Sequence, residues 1–559
     1  MIDRVSTTVY DLLNPALASV SVQRGTLNAE ALTGASALAL PVAPPAVGED
    51  EVQPRWGTAD AASLYGIDLA ELASRSGATG EGGNIGVVHL PRPVGAITFP
   101  WKDLPLCIYL VGVGDGTSQD LRRAGAALAR QLTTHSRHTD GDNRVLTTVG
   151  AQASHDVVRS LLEGFHLGGY EQLRWTGEGI ASKKVSEDLE DSSTYPSEDP
   201  FSEVNGANEG AATGEKENEL VLVGDHSEDV IISAGTAALA TIRTRTLASA
   251  PSNIKNPQWF VDQAVTLADQ VGLSYEVWDL ERLTDEGFGG LLAVGAGSAT
   301  EPRMIALNYE PEDSTSHVVL VGKGITYDTG GLSIKPRESM ISMKTDMAGG
   351  AAVLSAVAAA AELEVPHKVT AVIPLAENAF GASSYRPGDV VTVYDGTTVE
   401  IANTDAEGRM VLADALGWAD EHLDADIIVD IATLTGAATL GLGRGHAAAY
   451  GHDADTIDQL RTAGELTGEH IWHMPLVPEY APALTSEVAD LRHVPLKEHR
   501  YGAGSITAAM FLEKFVTKHS WVHLDIAGTG RATSTQYEIS EGATGYGARL
   551  LTRWLESRS

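Results

Sequence analysis

The octapeptide NTDAEGRM, Asn403–Met410, sets Asp405 and Glu407 two residues apart and Arg409 two further on. Two earlier stretches are comparably dense in reactive side chains. KGITYDTGGLSIKP carries Lys323, Asp328 and Lys335, and MKTDMAGG carries Asp346. Together they supply four carboxylates and three cations, interspersed with glycines that let backbone come close. Carboxylates brought together repel, and some take up protons unless positive charge compensates. Two divalent ions sharing carboxylate ligands relieve that repulsion with hard oxygen donors. Such a pair, about 3.5–4 Å apart, polarises a carbonyl and activates water, which is hydrolytic chemistry. The competing reading at this point is three solvated loops that happen to be rich in acids and glycine.

Where the loops fall bears on the choice between them and leaves it open. HVVLVG, a continuous apolar strand pattern, runs into the first stretch. The second opens the alanine-rich helical pattern MAGGAAVLSAVAAAAEL. HKVTAVIPL reads as a strand, and VVTVYDGTTVEI as a hairpin turning at Asp395-Gly396 that leads into the octapeptide. GRMVLADALGWADEH and TAAMFLEKFV then read as helices, and ADIIVDIATL and WVHLDIAG as strands. Buried strands alternating with helices imply a largely parallel sheet covered on both faces. Ligands of such sheets gather where strands end and helices begin.

A chain of 559 residues exceeds one ordinary core, so more than one domain is expected. The pattern gives an α/β fold: a smaller N-terminal α/β domain at 1–180 and a larger catalytic domain at 251–559 with a helix-covered, largely parallel sheet. Between them come an acidic insertion or linker at 181–227 and a connecting helix at 228–250. From Ser186 to Glu219 the chain has eleven acids against one base, Lys216, and few large apolar residues. That composition cannot bury enough surface to offset its ordering entropy, so a flexible loop is expected.

Overall, 39 basic residues face 75 acidic ones, a formal net charge of −36. That balance argues against nucleic acid or an anionic membrane as partner. The single cysteine, Cys107, excludes an internal disulfide or thiolate cluster, and its apolar flanks predict a core thiol. No basic segment followed by an apolar run marks an export signal at the N-terminus, and the apolar runs are too short for a membrane span. A cytoplasmic location is expected. HExxH and GxSxG are absent, and the GxG of VGAGSATEP lacks the third glycine of a dinucleotide site. His446 and His452 are six apart, wrong for one helix face; His135 and His138 are expected in solvent and Trp472 in the core.

VGKGITYDTGGLSIKP, MKTDMAGGAAV and NTDAEGRMVLADAL resemble the three signature blocks of the leucyl aminopeptidases, the two-metal peptidase family M17. The resemblance continues through RTLASAPSN, IATLTGAATLGLG, GSITAAMFLEKFV and WVHLDIAGTG, over about residues 240 to 555, with order and spacing kept. It implies a metal-dependent aminopeptidase removing leucine and similar residues from peptide N-termini. By the same resemblance, Asp328 and Glu407 bridge two ions (Mn or Zn), Lys323 and Asp346 complete the tighter site, and Asp405 the exchangeable one. Lys335 steadies the oxyanion, and Arg409 holds a bicarbonate that acts as general base. The pocket for the first residue maps onto Met343, Asn403, Ala406, Thr433 and Gly436. A homo-hexamer is implied too. Tyr327, Thr329 and Met410 are mild departures from the family pattern, and the N-terminal domain matches weakly, mainly at LLEGFHLGGYEQLRW. Some bacterial relatives also bind DNA, a role the acidity of this chain disfavours.

The acidic segment contributes nothing to the matched blocks, and closure entropy grows only as the logarithm of loop length. Replacing it with a short Gly/Ser linker is expected to leave kcat/KM for a neutral dipeptide within about threefold, a change below roughly 1 kcal/mol. A loss of tenfold or more in a folded variant would make the segment functional.

Overall fold

The computed structural model describes residues 12–92, 99–136, 143–173, 218–314, 316–495 and 501–558. The acidic segment as far as 217, His138 and the side chain of His135 lie outside the described residues. Two sheets organise the rest. The first contains β1 (Ser19–Gln23), β2 (Ala37–Ala43), β3 (Gln53–Pro54), β4 (Ile85–His89), β5 (Cys107–Gly112), β6 (Asn143–Thr147) and β7 (Asn218–Val223). Its order is β1-β7-β6-β2-β5-β4, parallel except where β4 meets β5, with β3 antiparallel against β2. Cys107 is buried in β5, as its flanks predict.

The expected linker to residue 227 ends early. Leu220 and Leu222 face one core of this sheet while Val221 and Val223 face the other, so NELVLV is a strand buried on both faces. The first sheet thus draws a strand from beyond the acidic stretch, and a linker replacement must stop before Asn218.

The second sheet comprises β8 (Ser274–Trp278), β9 (Arg303–Tyr309), β10 (His317–Gly322), β11 (Gly324–Asp328) and β12 (Lys368–Asn378). After the hairpin β13 (Val390–Thr392) and β14 (Thr398–Glu400) it adds β15 (Ile427–Ala432), β16 (Ala447–Gly451), β17 (Ile471–His473) and, past the two-residue β18 (Leu491–Arg492), β19 (Ser520–Asp525). The order is β17-β16-β19-β15-β10-β12-β9-β8, with β11 also on β12. The centre, β19 to β12, is parallel; β16 and β9 flank it antiparallel, and β8 is antiparallel to β9. One core lies under the alanine-rich helix Ala348–Glu362 and the C-terminal helix Ala548–Ser557, the other under the helix Gly408–His422. The helix that follows β7 runs from Glu228 to Ser249.

Two local expectations need correction. The stretch after HVVLVG is not simply a loop: β11 resumes pairing with β12 one residue after β10 ends, and Lys323 is the interruption. Trp472 is not core but 58% exposed, edge-on to His446 at 6.4 Å, because β17 is the outermost strand of its sheet. Among the described residues no helix is long and apolar enough to cross a membrane.

Small residues let the alanine-rich helix lie directly on the sheet. A Cβ at Gly349 would stand 2.1 Å from the carbonyl oxygen of Ile431 in β15. Gly349→Ala must therefore push helix and strand apart, at a cost of about 1–3 kcal/mol or more. A lowered thermal midpoint is the expected readout; an unchanged midpoint would mean the contact yields freely.

Candidate metal centre

The break between β10 and β11 is clamped from two sides. Lys323 N–H donates to Ile431 O at 3.1 Å, and its carbonyl accepts from Gly350 N–H at 2.8 Å, one of the free amides at the start of the alanine-rich helix. The side chain is thereby directed into the interior, where Lys323 is 2% exposed. Its Nζ reaches Glu407 at 2.8 Å and Asp346 at 2.9 Å, and donates to Thr433 O at 2.9 Å. Gly408 is required here: a Cβ would meet Lys323 Cε at 2.7 Å.

The second cation, Lys335, stands 2.7 Å from Asp328 and 2.5 Å from Asp405. Asp328 ends β11 and is oriented through its other oxygen, which accepts from Gly330 N–H at 2.8 Å and Asn378 Nδ2 at 2.7 Å. Asp346 follows a single 3-10 turn, Met343–Thr345, and accepts from Thr433 Oγ1 at 2.7 Å. Asn403 builds the octapeptide turn, its Oδ1 accepting from Asp405 N–H at 3.1 Å. That turn throws Asp405 outward, its side chain 31% exposed, and Glu407 inward at 3%.

Seven predicted groups therefore converge. Six form two lysine-centred clusters, and Arg409 lies beside them, donating from Nη1 to His493 O while its Nε has no partner among the described residues. Of the expected pocket residues, Asn403, Ala406 and Gly436 line one cleft together with Asp405, Glu407 and Arg409. Thr433 adjoins through its contacts to Lys323 and Asp346, and Met343 opens the turn before Asp346. Sequence patterns missed Asn378 and His493. Asn378 is the last residue of a long apolar strand, where a polar residue has only its position to announce it. His493 Nδ1 lies 3.1 Å from Glu400 O and 3.3 Å from Ala402 N, and Nε2 lies 2.9 Å from Asn403 O. Burial and the nearby Arg409 push this imidazole down to about 4 and keep it neutral.

The electrostatics are those of acids short of positive charge. Burial, with Glu407 and Asp346 nearby, pushes Asp328 well up. Burial also raises Asp346 to about 6, against the pull of Lys323. Asp405 rises for the same reason, tempered by Lys335. Glu407 alone goes down, because Lys323 and Lys335 outweigh its burial. Burial opposes the charge on both lysines, yet the surrounding carboxylates hold each ammonium above its ordinary value. Burial lowers Arg409 to about 10.

The donor set fits divalent ions. Asp328, Asp405 and Glu407 each offer a carboxylate oxygen, and these atoms all lie within 4.8 Å of one another. The two ammonium groups occupy the gaps between acids where further positive charge is needed, and hard oxygen donors suit Mg, Mn or Zn.

A parallel α/β sheet with an acidic centre at its strand ends is the architecture of a metal-dependent hydrolase. Residues 242–552 match the cytosol aminopeptidase family, catalytic domain, and the chain belongs to that family. It is 37% identical over 468 residues to the probable cytosol aminopeptidase of Chloroherpeton thalassium, covering 82% of this chain and 88% of that one. With the corresponding protein of Geobacter sulfurreducens it shares 44% identity over 332 residues, 59% of this chain and 66% of the relative. The bottromycin maturation enzyme BotP superposes with a TM-score of 0.73 at 29% identity, covering 94% of this chain and 99% of its own; its complex with Mn gives 0.74. The protein is a peptidase of the cytosol aminopeptidase family.

In the metal-free protein, Asp346 makes a pH test possible. Its folded value of about 6 lies above the ordinary 3.8, so the folded chain holds this proton more tightly than the unfolded chain. Its contribution to stability is intact below the ordinary value and is lost as the pH climbs through the folded one. Thermal unfolding of chelator-treated protein between pH 4 and 7 should therefore show a steeper decline for the native chain than for Asp346→Asn. Parallel curves would remove Asp346 as the source.

Proposed function

We propose that the protein removes N-terminal residues, leucine and similar side chains among them, from peptides with the help of two divalent ions, Mn or Zn. The observation that carries this is the convergence of Asp328, Asp346, Asp405 and Glu407 around the buried Lys323 and the half-buried Lys335. Asp328 and Glu407 would bridge the ions, with Lys323 and Asp346 on the tighter side and Asp405, the most exposed acid, on the exchangeable one. What such a pair supplies when bound is charge that polarises the scissile carbonyl and activates water. A ligating Lys323 must first give up its proton.

The remaining steps fall to the chain. Among the described residues the Lys335 ammonium is held only by Asp328 and Asp405, so it is free to donate to the oxyanion once they have other partners; that donor is worth about 10²–10³ in rate. Arg409, with its free Nε and a cleft before it, would hold a bicarbonate ion as proton acceptor. Met343, Asn403, Ala406, Thr433 and Gly436 would receive the first residue. A cytoplasmic location and a homo-hexamer belong to the same reading, supported by the family alone.

The purified protein should cleave an L-leucyl amide, lose the activity in chelator and regain it with Mn or Zn. Full activity after verified metal removal, or equal cleavage of N-acetylated peptides, would refute the proposal. Asp346→Ala should lose metal and activity together. Lys335→Ala should keep two ions per chain while kcat falls by about 10²–10³; loss of metal in that variant would make Lys335 a ligand rather than an oxyanion donor.

A further inference from the structure

Lys255 lies outside every block that carries the chemistry, in the turn SNIKNP that follows the connecting helix. It is 1% exposed and, among the described residues, pairs with no acid. Its Nζ donates to Leu247 O at 2.9 Å, Ala248 O at 3.0 Å and Lys344 O, and approaches Met347 Sδ at 3.4 Å. Burial and the nearby Lys344 push this amine well below its ordinary value, but three carbonyls around it are all satisfied only by an ammonium, which has three hydrogens and no lone pair. Two of these carbonyls belong to the last turn of the helix Glu228–Ser249, whose final carbonyls lack helical partners and whose C-terminal dipole favours a cation. The third lies in the turn Met343–Thr345, immediately before Asp346. Lys344 closes the same junction from the other side, donating from Nζ to Ser249 O at 2.9 Å.

That turn makes few other ties. Its own amides bond internally, Thr345 N–H to Ser342 O and Asp346 N–H to Met343 O, and just past it Thr433 Oγ1 donates to Asp346 O at 3.2 Å. A three-residue 3-10 turn holds a side chain in place only as well as its anchors do. We infer that Lys255 is a positioning residue: its ammonium pins the Met343–Thr345 turn to the end of the connecting helix and so sets Asp346 against Lys323 and Glu407. The inference rests on the two-ion reading of the centre. Removing such an outer partner of a ligand typically costs 10–100-fold in metal affinity.

The test is Mn binding to metal-free, folded protein, measured by competition with a chromophoric chelator, for the native chain, Lys255→Met and Lys255→Arg. Lys255→Met should bind one of two ions at least tenfold more weakly and the other within about threefold. Lys255→Arg, which keeps the cation, should recover part of the loss. Val158→Ala in the first sheet's core is the control for a general loss of stability and should bind both ions normally. Should Lys255→Met not fold, Lys344→Met, which cuts only the half-exposed tie, must weaken the same ion by several-fold. Two unchanged affinities in either folded variant would overturn the inference. If the native chain itself binds no ion, the reading of the centre fails instead.

Discussion

Like-charge repulsion among Asp328, Asp346, Asp405 and Glu407 is the constraint to which the larger domain answers. Interiors do not hold acids so close unless positive charge lies between them, and here two ammonium groups do so. Holding Lys323 in place takes the break between β10 and β11, the first amides of the alanine-rich helix, the absence of a Cβ at Gly408 and the close approach at Gly349. Each is a backbone feature far costlier to alter than a surface side chain. The exposure gradient, from buried Glu407 to half-open Asp405, then gives the centre an inner and an outer side.

Paired burial of charge recurs where the two sheets' helices meet. Glu163 is fully buried among Arg159, Arg122 and Arg549, and Glu469 accepts Gly547 and Leu550 N–H groups beside Arg549. Arg553 and Arg159 reach Asp156 and Glu556 across the same seam. Breaking one partner of such pairs is costly, so the seam favours one arrangement of the helices. The first sheet is fastened to the C-terminal helix that covers the second.

The parts of this structure legible in the sequence are those with a period or a block. HVVLVG, ADIIVDIATL and WVHLDIAG are strands because near-continuous apolar runs, interrupted by Asp430, His523 and Asp525, suit a sheet buried on both faces. The hairpin at Asp395-Gly396 turns with Gly396 at positive φ. The carboxylates were visible as unusual chemistry at strand ends; Lys323 was visible only through family resemblance, because its role comes from an interruption of pairing that has no local signature. Asn378, His493 and Lys255 act through backbone carbonyls or one neighbouring acid and follow no pattern. NELVLV was hidden by the acids before it.

Mn titration of the metal-free protein by calorimetry, in two buffers of different ionisation enthalpy near pH 7, tests the central claim most directly. Lys323 enters as an ammonium and could ligate only as an amine, so the proposed ligation requires that binding expel a proton. Two ions per chain with net proton release is the predicted result. Fewer than two ions, or binding whose heat is the same in both buffers, would contradict it.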